Sequence, residues 1–255
     1  MKFTAADLRP AKARGEKIAV LTAYDYPAAR LLDEAGIPVI LVGDSLGMVV
    51  LGYEDTTAVT LDDMVHHTRA VARGASDALV VADLPYRTYD TPEQAVATAR
   101  ALAAAGAEAV KLEGGIRFLP QIEAILAEGI PMVGHLGMLP QSVKAEGGYR
   151  IKGRTEGEAE QIVADAVALS EAGVSAIVLE MVLPPVAARI SAAIAAPTIG
   201  IGSGEGCDGQ VLVLPDLVGL FPWFRPKFVR PEAELGVQLR DAARRFLERT
   251  RHPTL

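Results

Sequence analysis

The chain of 255 residues carries one cysteine, Cys207. That excludes an internal disulfide and any cysteine-rich zinc cluster, and a reducing compartment fits best. Positive charge is not in excess either. Lys and Arg number 25 against 32 Asp and Glu, for a formal net charge of −7 and a pI of about 5.2. A general nucleic-acid surface needs a basic face, so no nucleic-acid partner is expected. Long apolar runs are missing too. No stretch approaches the roughly 18 uncharged apolar residues of a membrane helix, and Met1 leads into Lys2-Phe3-Thr4-Ala5-Ala6-Asp7 without the apolar core of a signal peptide. A cytoplasmic protein with no membrane partner is expected. No linker, low-complexity tract or charge block divides the chain, so a single domain over residues 1–255 is expected.

What the chain does have is a series of short, continuous apolar runs, at residues 18–23, 39–42, 78–82, 109–112, 131–134, 176–179 and 197–202. Continuous rather than alternating runs suit strands buried on both faces of a parallel sheet. Between them, residues 28–35, 61–73, 92–105, 122–128 and 158–172 have helical spacing. Several of these end at a glycine (Gly36, Gly74, Gly106, Gly129, Gly173), a common helix stop. Thr60 before Leu61-Asp62-Asp63, and Thr91 before Pro92-Glu93, supply hydroxyl caps ahead of early acids. An eighth strand at 211–213 and a last helix over about 232–249 complete about eight βα units. The expected fold is α/β, a (β/α)8 TIM barrel. A doubly wound open sheet is disfavoured, because it concentrates functional residues at one crevice. Here they follow nearly every strand.

Those residues are Thr22-Ala23-Tyr24-Asp25, Gly43-Asp44-Ser45, Asp83, Lys111-Leu112-Glu113, His135, Glu180 and Gly200-Ile201-Gly202-Ser203. In a barrel they converge on one rim. Asp44 and Asp83 end consecutive strands, and two carboxylates held close repel unless a cation lies between them or one is protonated. Carboxylates with water suit a hard ion such as Mg2+. Glu113 is the third acid, direct or through water. Replacing either aspartate is expected to leave the fold largely intact, since mutual repulsion is relieved.

Lys111 lies two residues before Glu113, so both side chains share one strand face. It neutralises carboxylates, binds an anionic substrate, or forms a Schiff base, the last disfavoured because nearby acids hold the amine protonated. Ser45 either donates to a substrate carboxylate or caps its loop. His135 sits between glycines in Val133-Gly134-His135-Leu136-Gly137, which suggests close approach by another group. Glu180 closes an apolar strand, where desolvation should raise its proton affinity and suit it to acid/base work. The tract Gly200-x-Gly202 lacks the later glycine of a dinucleotide fingerprint and the lysine-hydroxyl pair of a P-loop. The glycine-rich, basic tract 147–154 is long enough to act as a lid.

The motifs Leu21-Thr22-Ala23-Tyr24-Asp25, Val42-Gly43-Asp44-Ser45-Leu46-Gly47, Ala82-Asp83-Leu84-Pro85, Lys111-Leu112-Glu113-Gly114-Gly115, Gly134-His135-Leu136-Gly137 with Pro140-Gln141-Ser142, Leu179-Glu180, and Cys207-Asp208-Gly209-Gln210 follow one another in family order. Together they resemble the ketopantoate hydroxymethyltransferases. The resemblance implies a (β/α)8 barrel that moves a one-carbon unit from 5,10-methylenetetrahydrofolate to 3-methyl-2-oxobutanoate. It further implies Asp44, Asp83 and Glu113 around Mg2+, and Asp44, Ser45, Asp83, Lys111 and His135 at the oxoacid. Glu180 matches the proton acceptor, and a homodecamer is implied. The chain departs from the family pattern at Lys144, at Lys152 and over Tyr86-Arg87-Thr88-Tyr89. Two other readings are a Mg2+-dependent lyase or mutase of the phosphoenolpyruvate/pyruvate type, and a non-catalytic oxoacid-binding barrel.

Overall fold

The computed structural model describes residues 2–252. Eight parallel strands close in sequence order into a barrel: β1 (Ile18–Thr22), β2 (Val39–Val42), β3 (Leu79–Asp83), β4 (Ala109–Glu113), β5 (Met132–Gly137), β6 (Ala176–Glu180), β7 (Thr198–Ile201) and β8 (Gly209–Leu212). The continuous apolar runs have the expected cause. Alternate residues such as Val39, Leu41, Val81, Val133 and Val178 fill the barrel interior. Their neighbours Ile40, Val42, Val80, Ala82 and Val110 pack outward under the helices. From β2 to β6 both faces of the strands are therefore largely out of water, and a period-two pattern has no polar face to mark; β1 and β8 each leave one residue exposed, Ala19 and Gln210.

The helix Leu8–Ala13 closes the end of the barrel opposite the polar rim, adding Leu8 and Ala11 to the interior cluster. Lys12 Nζ then donates to the carbonyls of Ser191 (2.6 Å) and Ile194 (3.0 Å) and pairs with Asp208 at 3.0 Å. The seam between first and last strands is tied by Ile18 N to Asp208 O (3.0 Å) and Lys17 Nζ to Cys207 O (2.5 Å).

The caps form as expected. Thr60 and Asp63 make a reciprocal capping box, and Thr91 accepts from Gln94 N with Pro92 in the first turn. Gly36, Gly106, Gly129 and Gly173 adopt positive φ. Gly74 is different: it closes the helix Leu61–Gly74 from within, and a Cβ there would come within 2.7 Å of the Tyr26 carbonyl. Its role is close helix packing, not a left-handed cap. The helix Pro184–Ala193, not among the ranges named above, opens on a Pro-Pro pair, and proline is well suited to a first helical turn. β8 begins two residues earlier than the expected 211–213.

The chain divides into two compact units, one ending at Val211 and the other starting at Leu212. The first holds the polar rim. The second has a short helix Leu214–Leu217 and a long one, Leu235–Arg251, joined by backbone bonds such as Gly236 N to Gly219 O at 3.0 Å. No helix among the described residues is long and apolar enough to cross a membrane.

Candidate active site

Strand register assembles the site. Asp83 on β3 is the register partner of Lys111 on β4, Glu113 of His135 on β5, and Gly137 of Glu180 on β6. Each of these strands delivers its polar group at the same height on the barrel. Asp44 and Ser45 follow β2 directly. Asp44, Asp83, Lys111, Glu113 and His135 are all buried, at 2–4% exposure, and the Glu180 side chain is 15% exposed.

Lys111 Nζ lies 2.9 Å from Asp83 Oδ1 and 3.2 Å from His135 Nδ1. Burial works against its ammonium, but Asp83, Glu113 and Asp44 outweigh that and hold its pKa above the ordinary lysine value. A lysine so held favours the charge-partner reading over the Schiff-base one, whose nucleophile is the neutral amine. His135 is kept neutral by burial, and next by the Lys111 charge. Its Nδ1 therefore accepts from Lys111, leaving Nε2–H facing Glu180 Oε2 at 3.2 Å, without hydrogen-bond alignment.

Burial pushes the Glu180 carboxyl up to about 8. Two features fix its place. A Cβ on Gly137, which has φ 95°, would stand 2.2 Å from the Glu180 carbonyl, so only glycine lets β5 approach β6 there. Met181 is held in the left-handed region at φ 47°, clamped by Met138 N on the Glu180 carbonyl (2.8 Å) and Met181 N on the Ile201 carbonyl (2.9 Å).

Asp44 and Asp83 meet beside Gly43, where a Cβ would come within 2.8 Å of Ser45 Oγ and 3.6 Å of Asp83 Oδ2. The Asp44 N–H donates to Asp83 Oδ2 at 3.1 Å. Ser45 Oγ is bonded to Tyr24 Oη at 2.9 Å. Burial and the neighbouring Asp83 charge raise the Asp44 pKa to about 7. Burial raises that of Glu113 well above the carboxylate range, with the Asp44 charge adding to it.

The cluster suits a divalent cation. Three buried acids, Asp44, Asp83 and Glu113, stand against the single ammonium of Lys111, which leaves two negative charges uncompensated when all are ionised. Apart from the ion pair, Asp83 Oδ1 accepts no hydrogen bond, and neither does Glu113 Oε1. All the donors are hard oxygens. Among the described residues no three His, Cys, Asp or Glu side chains stand close enough together to share one ion. The arrangement thus suits an ion held by one or two carboxylates and otherwise by water and substrate, as Mg2+ usually is.

Sequence motif and strand order point the same way as a comparison with known families, in which the ketopantoate hydroxymethyltransferase model matches residues 2–254. The chain belongs to the ketopantoate hydroxymethyltransferase family. It is 51% identical over 255 residues to a 3-methyl-2-oxobutanoate hydroxymethyltransferase of Syntrophus aciditrophicus (strain SB), covering 99% of this chain and 94% of that one. A protein of the same name from Moorella thermoacetica is 53% identical, covering 98% and 94%. Among solved structures, a phosphonopyruvate hydrolase complex with oxalate and Mg++ matches at 14% identity, TM-score 0.63 and full coverage of both chains. A structure named as a putative phosphonomutase from Burkholderia cenocepacia J2315 matches at 17% identity and TM-score 0.67, covering 94% and 96%. At that identity the likeness is one of fold.

In this family member one residue at the centre was given no role from sequence. Gln141 Nε2 donates to Asp44 Oδ2 (2.8 Å) and the Leu84 carbonyl (3.0 Å), and its backbone N–H donates to Glu113 Oε2 (3.1 Å). Tyr89 Oη donates to Gln141 Oε1. Gln141 thereby positions two acids at once. The Pro140-Gln141-Ser142 motif was the only available signal, and nothing in it announces contact with residues 28 and 97 positions away.

The raised acids make stability depend on pH. A carboxyl whose folded pKa lies above its unfolded value contributes stability below the ordinary carboxylate range and loses it as pH rises through the folded value. For Asp44 and Glu180 that window runs from about 4 to about 7 and 8 respectively. The thermal midpoint of chelator-treated protein should therefore fall between pH 5 and pH 8. Glu180→Gln should flatten the upper part of that fall. A midpoint that rises over this range would contradict the burial of these acids.

Proposed function

We propose that the chain transfers a one-carbon unit from 5,10-methylenetetrahydrofolate to 3-methyl-2-oxobutanoate, giving 2-dehydropantoate and tetrahydrofolate. Hydroxymethyl transfer in pantothenate biosynthesis follows from the family. The donor, the metal and the residue roles are our reading. It is carried by one observation: in a chain of this family, five buried polar side chains and the nearly buried Glu180 share one barrel rim.

The Lys111 ammonium offers the oxoacid carboxylate a fixed positive charge, and Ser45 Oγ offers a hydroxyl donor beside it. Glu180, its carboxylate destabilised by burial, takes the proton from C3. His135 Nε2–H stands 3.2 Å from that carboxylate and is the nearby donor to its charge. The C3 electron pair then forms the new C–C bond to the one-carbon unit. One water is consumed: its oxygen becomes the new hydroxyl, and tetrahydrofolate leaves with both bridging nitrogens protonated. Asp44 and Asp83 would hold Mg2+, with Glu113 acting through water, and Gln141 keeps Asp44 and Glu113 aimed. When bound, the ion withdraws electron density from the 2-oxo group and so acidifies C3–H.

A homodecamer belongs to the same reading, supported by apolar side chains that the Leu235–Arg251 helix leaves exposed, among them Leu239 (63%) and Phe246 (64%). A cytoplasmic location fits the single, unpaired Cys207. The deciding assay follows 2-dehydropantoate formation with and without the folate donor. No 2-dehydropantoate with the folate donor present, together with folate-independent cleavage or rearrangement of an oxoacid, would overturn the proposal in favour of a lyase or mutase.

A further inference from the structure

Arg87 and Met181 are the non-glycine residues with positive φ among those described, at 61° and 47°. Met181 is accounted for by the clamp behind Glu180. Arg87 lies on the exposed loop after β3, where glycine would sit without strain. Backbone strain of this kind persists where the placement of a side chain is used.

The Arg87 guanidinium stands over the Tyr86 ring at 5.3 Å from its centre, and that of Arg117 over Phe118 at 4.4 Å. Neither meets a carboxylate at ion-pair distance among the described residues. Both line an open cavity of about 150 Å3 whose inner wall includes Glu113 and Gln141. Tyr89 and Phe118, in edge contact at 5.2 Å, form an aromatic side. Asp90 is the acid at the mouth, so the two arginines are what make that mouth receptive to an anion. The cavity thus runs from the buried acids, past aromatic rings, to two guanidinium groups without acidic partners. A second cavity, lined by Glu146, Arg150 and Lys152, reaches none of the buried acids, and its Lys152 is already paired with Glu146 at 2.5 Å.

We propose that the cavity beside Glu113 holds the aminobenzoyl-glutamate arm of the folate donor, with Arg87 and Arg117 taking its carboxylates. This rests on the reading of the donor given above. The one-carbon unit bridges the two nitrogens at the inner end of that arm, so an arm lying outward along the aromatic wall leaves the reacting carbon toward the oxoacid. Arginine suits the outer end, because its planar fork matches a carboxylate and stacks on aromatic rings.

The test is equilibrium binding of tetrahydrofolate, and of tetrahydropteroate, which lacks the glutamate, to the wild-type chain and to Arg87→Gly and Arg117→Gln. The wild type should prefer tetrahydrofolate. Each variant should weaken tetrahydrofolate about tenfold while leaving tetrahydropteroate and 3-methyl-2-oxobutanoate affinities unchanged. Arg87→Gly relieves strain, so its melting temperature should not fall. Unchanged tetrahydrofolate affinity in both variants, or equal losses for both folates, overturns the inference alone if the wild type forms 2-dehydropantoate from the folate donor. A wild type that binds no folate and forms no product overturns both readings.

Discussion

Glu180→Gln should bind 3-methyl-2-oxobutanoate normally and lose exchange of its C3 proton with solvent deuterium. The substitution keeps the volume of a side chain that is 15% exposed and keeps an oxygen within reach of His135 Nε2–H. It removes only the capacity to hold a proton. General-base groups are worth about a hundred- to ten-thousand-fold in rate, and proton NMR of the oxoacid in deuterium oxide reads the loss directly. Exchange at the wild-type rate with transfer abolished would move Glu180 to a later step and assign the base elsewhere.

Asp44→Ala and Asp83→Ala should both abolish metal-dependent transfer, yet they should differ sharply in stability. Asp83 is the ion-pair partner of Lys111 at 2.9 Å. Removing one member of a buried pair destabilises by about 3–5 kcal/mol, reduced here because Glu113 and Asp44 still act on the ammonium. Among the described residues, Lys111 is at ion-pair distance from Asp83 and no cation is so close to Asp44. Its removal orphans one Gln141 donor, worth about 1–3 kcal/mol, and relieves repulsion from Asp83 and Glu113. The expectation that either aspartate can be lost without harm to the fold is thus corrected for Asp83. Denaturant unfolding of the two variants measures the difference, alongside transfer assays with and without EDTA. Full activity of Asp83→Ala in EDTA would remove the metal from the proposal, and equal stability of the two variants would remove the ion pair.

The barrel was legible in the sequence because parallel strands buried on both faces leave continuous apolar runs, and because polar residues interrupt those runs at one end only. Asp44, Asp83, Lys111, Glu113, His135 and Glu180 all stood at such interruptions, so their convergence followed once the strands were taken as parallel. The partners of these residues were not legible. The pairing of Lys111 with Asp83 depends on the β3–β4 register, and Gln141 reaches Asp44 across 97 residues by way of a loop without periodicity. The strain at Arg87 is equally silent in sequence, since φ is a property of the folded backbone. Gly74 shows the opposite error: a glycine at a helix end suggests a left-handed cap, and here it serves the approach of a neighbouring helix.

The seam between β1 and β8 has a bearing on how the chain reaches this structure. Lys17 and Cys207, bonded across it, are separated by 190 residues, and Lys12 waits for Asp208 in the same way. The entropy of closing so long a loop must be met before either contact returns anything, which makes the seam a late event. A chain emerging from the ribosome can pair β1 with β2 and continue in order, but it carries an open sheet with two unpaired edges until β8 has been made. Those edges can pair with other chains. Lys12 and Lys17 therefore sit where the aggregation-prone interval of folding ends.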